Sequence, residues 1–168
     1  MIKKFLAIAL IALAPLSVFS QKFGSINSAD IMQLMPERQA AEAELETLQG
    51  QYREEFEYMQ SEYDKKVEDY KKQAETLPDN IRQRREQEIM DSQQKINEYL
   101  QNCDRMISEK AAQLQNDIVN KLLKAIKAVG EEGSFVCIFD TANGSVPFVS
   151  SALTTDVTEA VKAKLGIK

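Results

Sequence analysis

The side chains able to do chemistry in this chain are few, and their spacing argues against catalysis. Its 168 residues include no histidine, so the usual general base at neutral pH is lacking. Its two cysteines, Cys103 and Cys137, form no CxxC pair; Cys103 falls on the apolar stripe of a long helix and Cys137 in the run Phe135–Phe139, where they read as buried, inert thiols. No cysteine–carboxylate cluster has metal-ligand spacing, no Gly-rich loop offers a phosphate cradle, and no serine stands in a nucleophile elbow. The sequence therefore predicts no enzyme, no cofactor and no metal. What remains is contact chemistry. Tyr58, Met90, Tyr99 and Met106 are large, adaptable apolar side chains of the kind that suits promiscuous contact. Arg82, Arg84 and Arg85 form a cationic cluster, but Glu86, Glu88 and Asp91 follow closely, which favours a solvated helix start over an anion site.

These residues lie on a long helical segment, 36–129, with one break at Leu77-Pro78-Asp79-Asn80. Before the break an apolar stripe reads Leu45, Leu48, Tyr52, Phe56, Met59, Tyr63, Val67, Tyr70, Ala74. After it the stripe reads Ile89, Ser92, Ile96, Leu100, Cys103, Ile107, Ala111, Leu114, Ile118, Leu122, Ala125, Val129. Steps of three, four and four make an eleven-residue repeat, about 3.67 residues per turn, which keeps the stripe on one face of a nearly straight helix. Two such helices predict an antiparallel hairpin whose seam consumes both stripes. Helices of roughly 40–50 residues would reach about 60–75 Å, with a tip near 77–81. Tyr58, Met90, Tyr99 and Met106 are candidates for outside contact because they fall off the stripe; the alternative is that they widen the seam, since a packed hairpin often uses three positions in seven. Replacing Leu100 or Leu114 by aspartate should lower arm helicity and leave any oligomer intact. On this layout roughly 27 helical residues, about 40 Å, separate Cys103 from the helix end near Cys137, which excludes an intramolecular disulfide.

Both flanks read as parts of a small β body, 21–35 and 130–168. Lys22–Asn27 alternates as a strand, and Ser28 or Asp30 can cap a short helix through Ile31 and Leu34. Gly130 and Gly133 should stop the long helix. Phe135–Phe139 is apolar on both faces and predicts an internal strand. Asn143-Gly144 signals a turn, with Val146–Val149 returning as an edge strand because of Pro147. Asp156 and Glu159 suggest a capping box for a last helix that buries Val157, Ala160, Val161 and Leu165. Three short strands and a short helix make too small a core for one chain. The fold class is α+β, a helical-hairpin arm on a body whose Phe23, Ile26, Phe135, Val136, Ile138 and Phe139 are expected to pool between copies.

Met1–Ser20 has Lys3 and Lys4 ahead of the apolar run Phe5–Leu13, with Val18-Phe19-Ser20 at the position a signal peptidase reads. It predicts export with cleavage near Ser20-Gln21, and no nearby cysteine offers a lipid anchor. Of 21 basic residues, removal of Lys3 and Lys4 leaves 19 against 26 acidic, a net of −7. That balance opposes a nucleic-acid partner and gives no reason to expect attraction to anionic membrane surfaces.

The order of parts resembles the Skp/OmpH family. The resemblance rests on Phe23-Gly24-Ser25-Ile26-Asn27, the charged hairpin, Phe135–Asp140, the turn, and Asp156-Val157-Thr158-Glu159-Ala160-Val161, similar to that family's D-I-T-x-x-V ending. It implies a homotrimeric periplasmic chaperone whose arms surround a cavity that holds unfolded outer-membrane β-barrel proteins without ATP. Some members of that family are strongly basic, and this chain is not. An unfolded β-barrel exposes apolar faces and unpaired strand edges that aggregate, and long arms with scattered weak contacts would hold it by multivalency. The competing expectation is a structural envelope protein, with the hairpin as a spacer or docking rod.

Overall fold

A computed structural model describes residues 21–142 and 144–167. The expected leader, 1–20, and Asn143 lie outside them. Strand β1 is Lys22–Ile26, helix α1 Ser28–Leu34, α2 Pro36–Gln73, α3 Asp79–Glu132, β2 Phe135–Asp140, β3 Thr154–Asp156, and α4 Thr158–Leu165. The architecture is α+β, as the sequence predicts: a long helical hairpin on a small sheet. At about 1.5 Å per residue the 38 residues of α2 extend about 57 Å. The 54 residues of α3 extend about 81 Å.

The helices begin and end where local chemistry requires. Asn27, rather than Ser28 or Asp30, caps α1 by accepting from the Asp30 N–H at 3.3 Å. Pro36 opens α2, where its missing N–H costs nothing. The break spans residues 74–78, and Pro78 leads directly into α3. Gly130 does not stop α3, which runs on to Glu132 with Gly133 as its cap. A side chain at Gly130 would touch only Ile138, at 3.4 Å. Gly133 is different, because a Cβ there would meet the Phe135 ring at 2.4 Å.

The sheet order is β2-β1-β3, and both pairings are parallel. Ser25 lies opposite Phe139 on one side and Asp156 on the other. This corrects two expectations. Val146–Val149 forms no strand; the third strand is Thr154–Asp156, and Phe148 is exposed. Phe135–Asp140 is an edge strand within the chain, because β1 takes the central position. Val136 is 61% exposed, and Cys137 is exposed rather than buried.

The core draws on three parts of the chain. Ile26, Ile31 and Met35 come from the N-terminal end, and Val157 and Val161 from the C-terminal end. Ala41, Ile118, Leu122, Ala125 and Val129 come from the root of the hairpin. The root is thus part of the body, not merely attached to it. Ile31, Met35 and Val161 are essentially inaccessible, and burying each contributes about 1.5–3 kcal/mol. Asp140 ties the layers together. Its carboxylate accepts from the Ser28 hydroxyl at 2.5 Å and from the backbone N–H groups of Ser28 and Ala142 at 3.2 and 3.0 Å. On the opposite edge of the sheet, at the same C-terminal end of the strands, the Val157 N–H donates to Ser25 O at 2.9 Å, and the Asp156 carboxylate accepts from the Thr158 N–H at 2.9 Å. Glu159 does not close a capping box; Lys162 donates to its carboxylate at 2.8 Å.

Candidate functional site

The arm is the part of the molecule whose surface exceeds what its own fold consumes. Its seam is narrow. Ile96 and Cys103 are buried on α3, while Phe56, Met59, Tyr63, Val67 and Tyr70 on α2 are only partly covered. At mid-arm the Tyr52 and Tyr99 rings meet edge to face, centroids 6.3 Å apart and planes at 88°. The Tyr99 hydroxyl donates to the Tyr52 carbonyl at 3.3 Å, and the Tyr52 hydroxyl donates to the Met106 sulfur at 3.4 Å. Removal from water in the seam, with polar contact to Cys103, pushes the Tyr99 phenol up to about 12.

Cross-helix polar ties flank this cluster. Lys110 pairs with Glu44 at 2.6 Å and Lys66 donates to the Ser92 hydroxyl at 2.8 Å. Lys121 pairs with Glu37 at the root, and the Tyr70 hydroxyl donates to Glu86 near the tip. Most of these ties are exposed and contribute register more than stability.

The four candidate contact residues separate. Tyr58 and Met90 are 62% and 57% exposed, and Met106 is 42% exposed. Tyr99 is not free surface: it widens the seam, half-buried against Tyr52. Leu100, expected in the stripe, is 42% exposed instead. The stripe passes from Ile96 to Cys103 through position 99, in steps of three and four. The tip arginines are engaged within their own helix: Arg82 with Asp79 at 2.8 Å, Arg84 with Glu88 at 3.0 Å, Arg85 with Glu88 at 2.9 Å. These pairings hold the Glu88 carboxyl below its usual range, the Arg84 hydrogen bond contributing most.

In the body, Phe23 stacks on Phe139 with centroids 6.1 Å apart. The Lys22 ammonium lies 4.2 Å from the centre of the Phe135 ring. Ile26 is buried and Ile138 packs against the core, whereas Val136 faces outward. Leu34 and Phe148, which the sequence assigns to a short helix and an edge strand, are also exposed, as are Leu123 and Leu153, to which the sequence assigns no contact role. Leu123 lies beside the stripe residue Leu122, and periodicity alone gives it no outside role. Among the described residues no group of carboxylates and thiols could hold a metal ion, and no helix is long and apolar enough to cross a membrane.

Residues 22–165 match the model of the family described as outer membrane protein (OmpH-like). The chain belongs to the OmpH-like family. It is 23% identical over 163 residues to the chaperone protein Skp of Yersinia enterocolitica, covering 95% of this chain and 99% of that one. Its fold is similar to a crystal structure from Caulobacter crescentus CB15 described as an outer membrane chaperone (OmpH-like). The TM-score is 0.72 at 15% identity, covering 86% of this chain and 83% of the other. That likeness spans both the OmpH-like body and the arm.

Proposed function

We propose that this protein is an ATP-independent periplasmic holdase. It takes up unfolded outer-membrane β-barrel proteins between helical arms and prevents their aggregation. The observation that carries this reading is the arm. It is a hairpin tens of ångströms long, paired along a thin seam, with Tyr58, Met90, Leu100 and Met106 left exposed along its length. Such dispersed apolar groups bind weakly one at a time and add up along a flexible client. The relationship to Skp supports the same reading. The apolar surface left on β2, Val136 above all, fits a body that pools strands between copies, and we take the assembly to be a homotrimer. Residues 1–20 would direct export and be removed near Ser20-Gln21.

The test is light scattering as an outer-membrane β-barrel protein is diluted from urea with and without the mature chain, followed by the native mass of any complex. Suppressed scattering and a complex of a few chains with one client are expected. A folded, oligomeric chain that leaves aggregation unchanged at several-fold excess would point instead to an envelope spacer.

A further inference from the structure

One stretch of the hairpin stays open beside the tyrosine cluster. Between α2 and α3 a groove of about 590 Å³ has Leu48, Tyr52 and Met106 as its apolar floor. Thr47, Gln51 and Gln113 line the rest of it, together with Glu44, Glu109 and Lys110. Its volume falls in the range of sites that enclose a small ligand, roughly 300–1,000 Å³.

The rim is electrically quiet. Glu44 is paired with Lys110 at 2.6 Å, and both oxygens of Glu109 accept from Arg105 at 2.8 and 3.0 Å. The exposed amides of Gln51 and Gln113 complete the rim. They offer neutral donors and acceptors of the kind an extended backbone can use. A charged peptide would have to compete with ion pairs already made, and a second copy's arm would bring its lysines and glutamates against an apolar floor. A neutral extended segment with an aromatic side chain meets neither obstacle. Aromatic rings pack well against methionine sulfur and the edge of a tyrosine, and membrane-spanning β-strands carry aromatic girdles at their ends.

From this we infer that the groove is a client subsite, which seats one aromatic side chain of an unfolded transmembrane β-strand between Leu48, Tyr52 and Met106. The inference rests on the holdase reading and specifies where on the arm it acts. A single such site is weak, and a client would gain avidity by occupying the same groove on several arms.

The chain has no tryptophan, so the fluorescence of a single tryptophan in a neutral, strand-like synthetic peptide reports binding without background. The double substitution Gln51→Glu and Gln113→Glu is isosteric, lies on exposed helix positions and preserves helix propensity. It is expected to weaken peptide binding roughly tenfold by setting unpaired carboxylates around an apolar ligand, with circular dichroism unchanged. A photocrosslinker at Thr47 should capture an aromatic-bearing strand of a urea-diluted β-barrel protein, and one at Glu54 should not. If the wild-type chain suppresses aggregation while the double variant binds peptide equally and Thr47 crosslinks no better than Glu54, the groove is not the subsite. Crosslinks from Thr47 mainly to a second copy of the chain would overturn it as well. If the wild-type chain fails to suppress aggregation at all, the holdase reading falls and takes this inference with it.

Discussion

The Tyr99 hydroxyl donates to the Tyr52 carbonyl at 3.3 Å across the hairpin, and the two rings meet edge to face. A carbonyl inside a helix already accepts one hydrogen bond, so the phenol uses its second lone pair and pins the two helices in register. Tyr99→Phe keeps the ring contact and removes this bond. It should cost about 0.5–1.5 kcal/mol, read as a lower urea midpoint for arm helicity.

The same phenol gives the arm an alkaline limit. Its pKa is raised to about 12, first by desolvation and then by contact with Cys103, against about 10 in the unfolded chain. The folded arm therefore holds a proton that the unfolded chain releases. The stabilisation is complete below pH 10 and is lost as pH rises through 12. Tyr70, raised by its bond to Glu86, adds to the loss in the same direction. A pH series of urea midpoints should be flatter above pH 10 in Tyr99→Phe, and an unchanged slope would show that the phenol is not coupled to the seam.

At the body the sign reverses. Burial raises the Asp140 carboxyl, but the Ser28 hydroxyl and the N–H groups of Ala142 and Ser28 outweigh it and hold the group below its ordinary value. Stability from this latch is present above the usual aspartate pKa near 4 and is lost as pH falls through the lower folded value. Asp140→Asn should destabilise the body by roughly 1.5–3 kcal/mol at pH 7, the scale of hydrogen bonds to a charged group. The difference from wild type should shrink in acid. A gap that persists at pH 2 would mean packing, not charge, holds the latch.

How legible the molecule is from sequence depends on how local each interaction is. The hairpin can be read because its stripe recurs every eleven residues and its break carries Pro78. The body can be placed at the chain ends because Phe135–Asp140 and Lys22–Ile26 are β-rich beside long helices. The third strand cannot. Val146–Val149 has the apolar composition, but Thr154–Asp156 is the segment whose continuation, through the Val157 N–H to Ser25 O, brings Val157 into the core. That choice is made by a partner more than a hundred residues away. Tyr99 and Leu100 mark the other limit. Either fits the stripe by spacing, and only the position of Tyr52 on the opposite helix decides between them.

Cys137 offers a test of how the bodies assemble. It is exposed on β2, next to the exposed Val136, while Cys103 is buried in the seam. If copies pool their strands, Cys137 should react slowly with a thiol reagent in the native assembly and quickly once dilution or mild urea separates the subunits. Cys103 should stay protected until the arm itself melts. Rapid native labelling of Cys137 would place the subunit contact elsewhere.

The exchange of Tyr99 and Leu100 changes what aspartate substitutions along α3 should do. Ile96 is 2% exposed at the seam, and an uncompensated carboxylate there should cost more than about 3 kcal/mol. Leu114 packs against the core cluster at the arm root, so Leu114→Asp should lower helicity and loosen the body beneath it. Leu100 is 42% exposed, and Leu100→Asp should stay within about 0.5 kcal/mol of wild type, as surface changes do. Circular dichroism during urea unfolding, with native mass measured on each variant, separates these cases. Equal losses from Leu100→Asp and Ile96→Asp would put position 100 back in the seam. A mild Leu100→Asp that nonetheless weakens client holding would instead mark Leu100 as one of the exposed apolar contacts on which a multivalent arm depends.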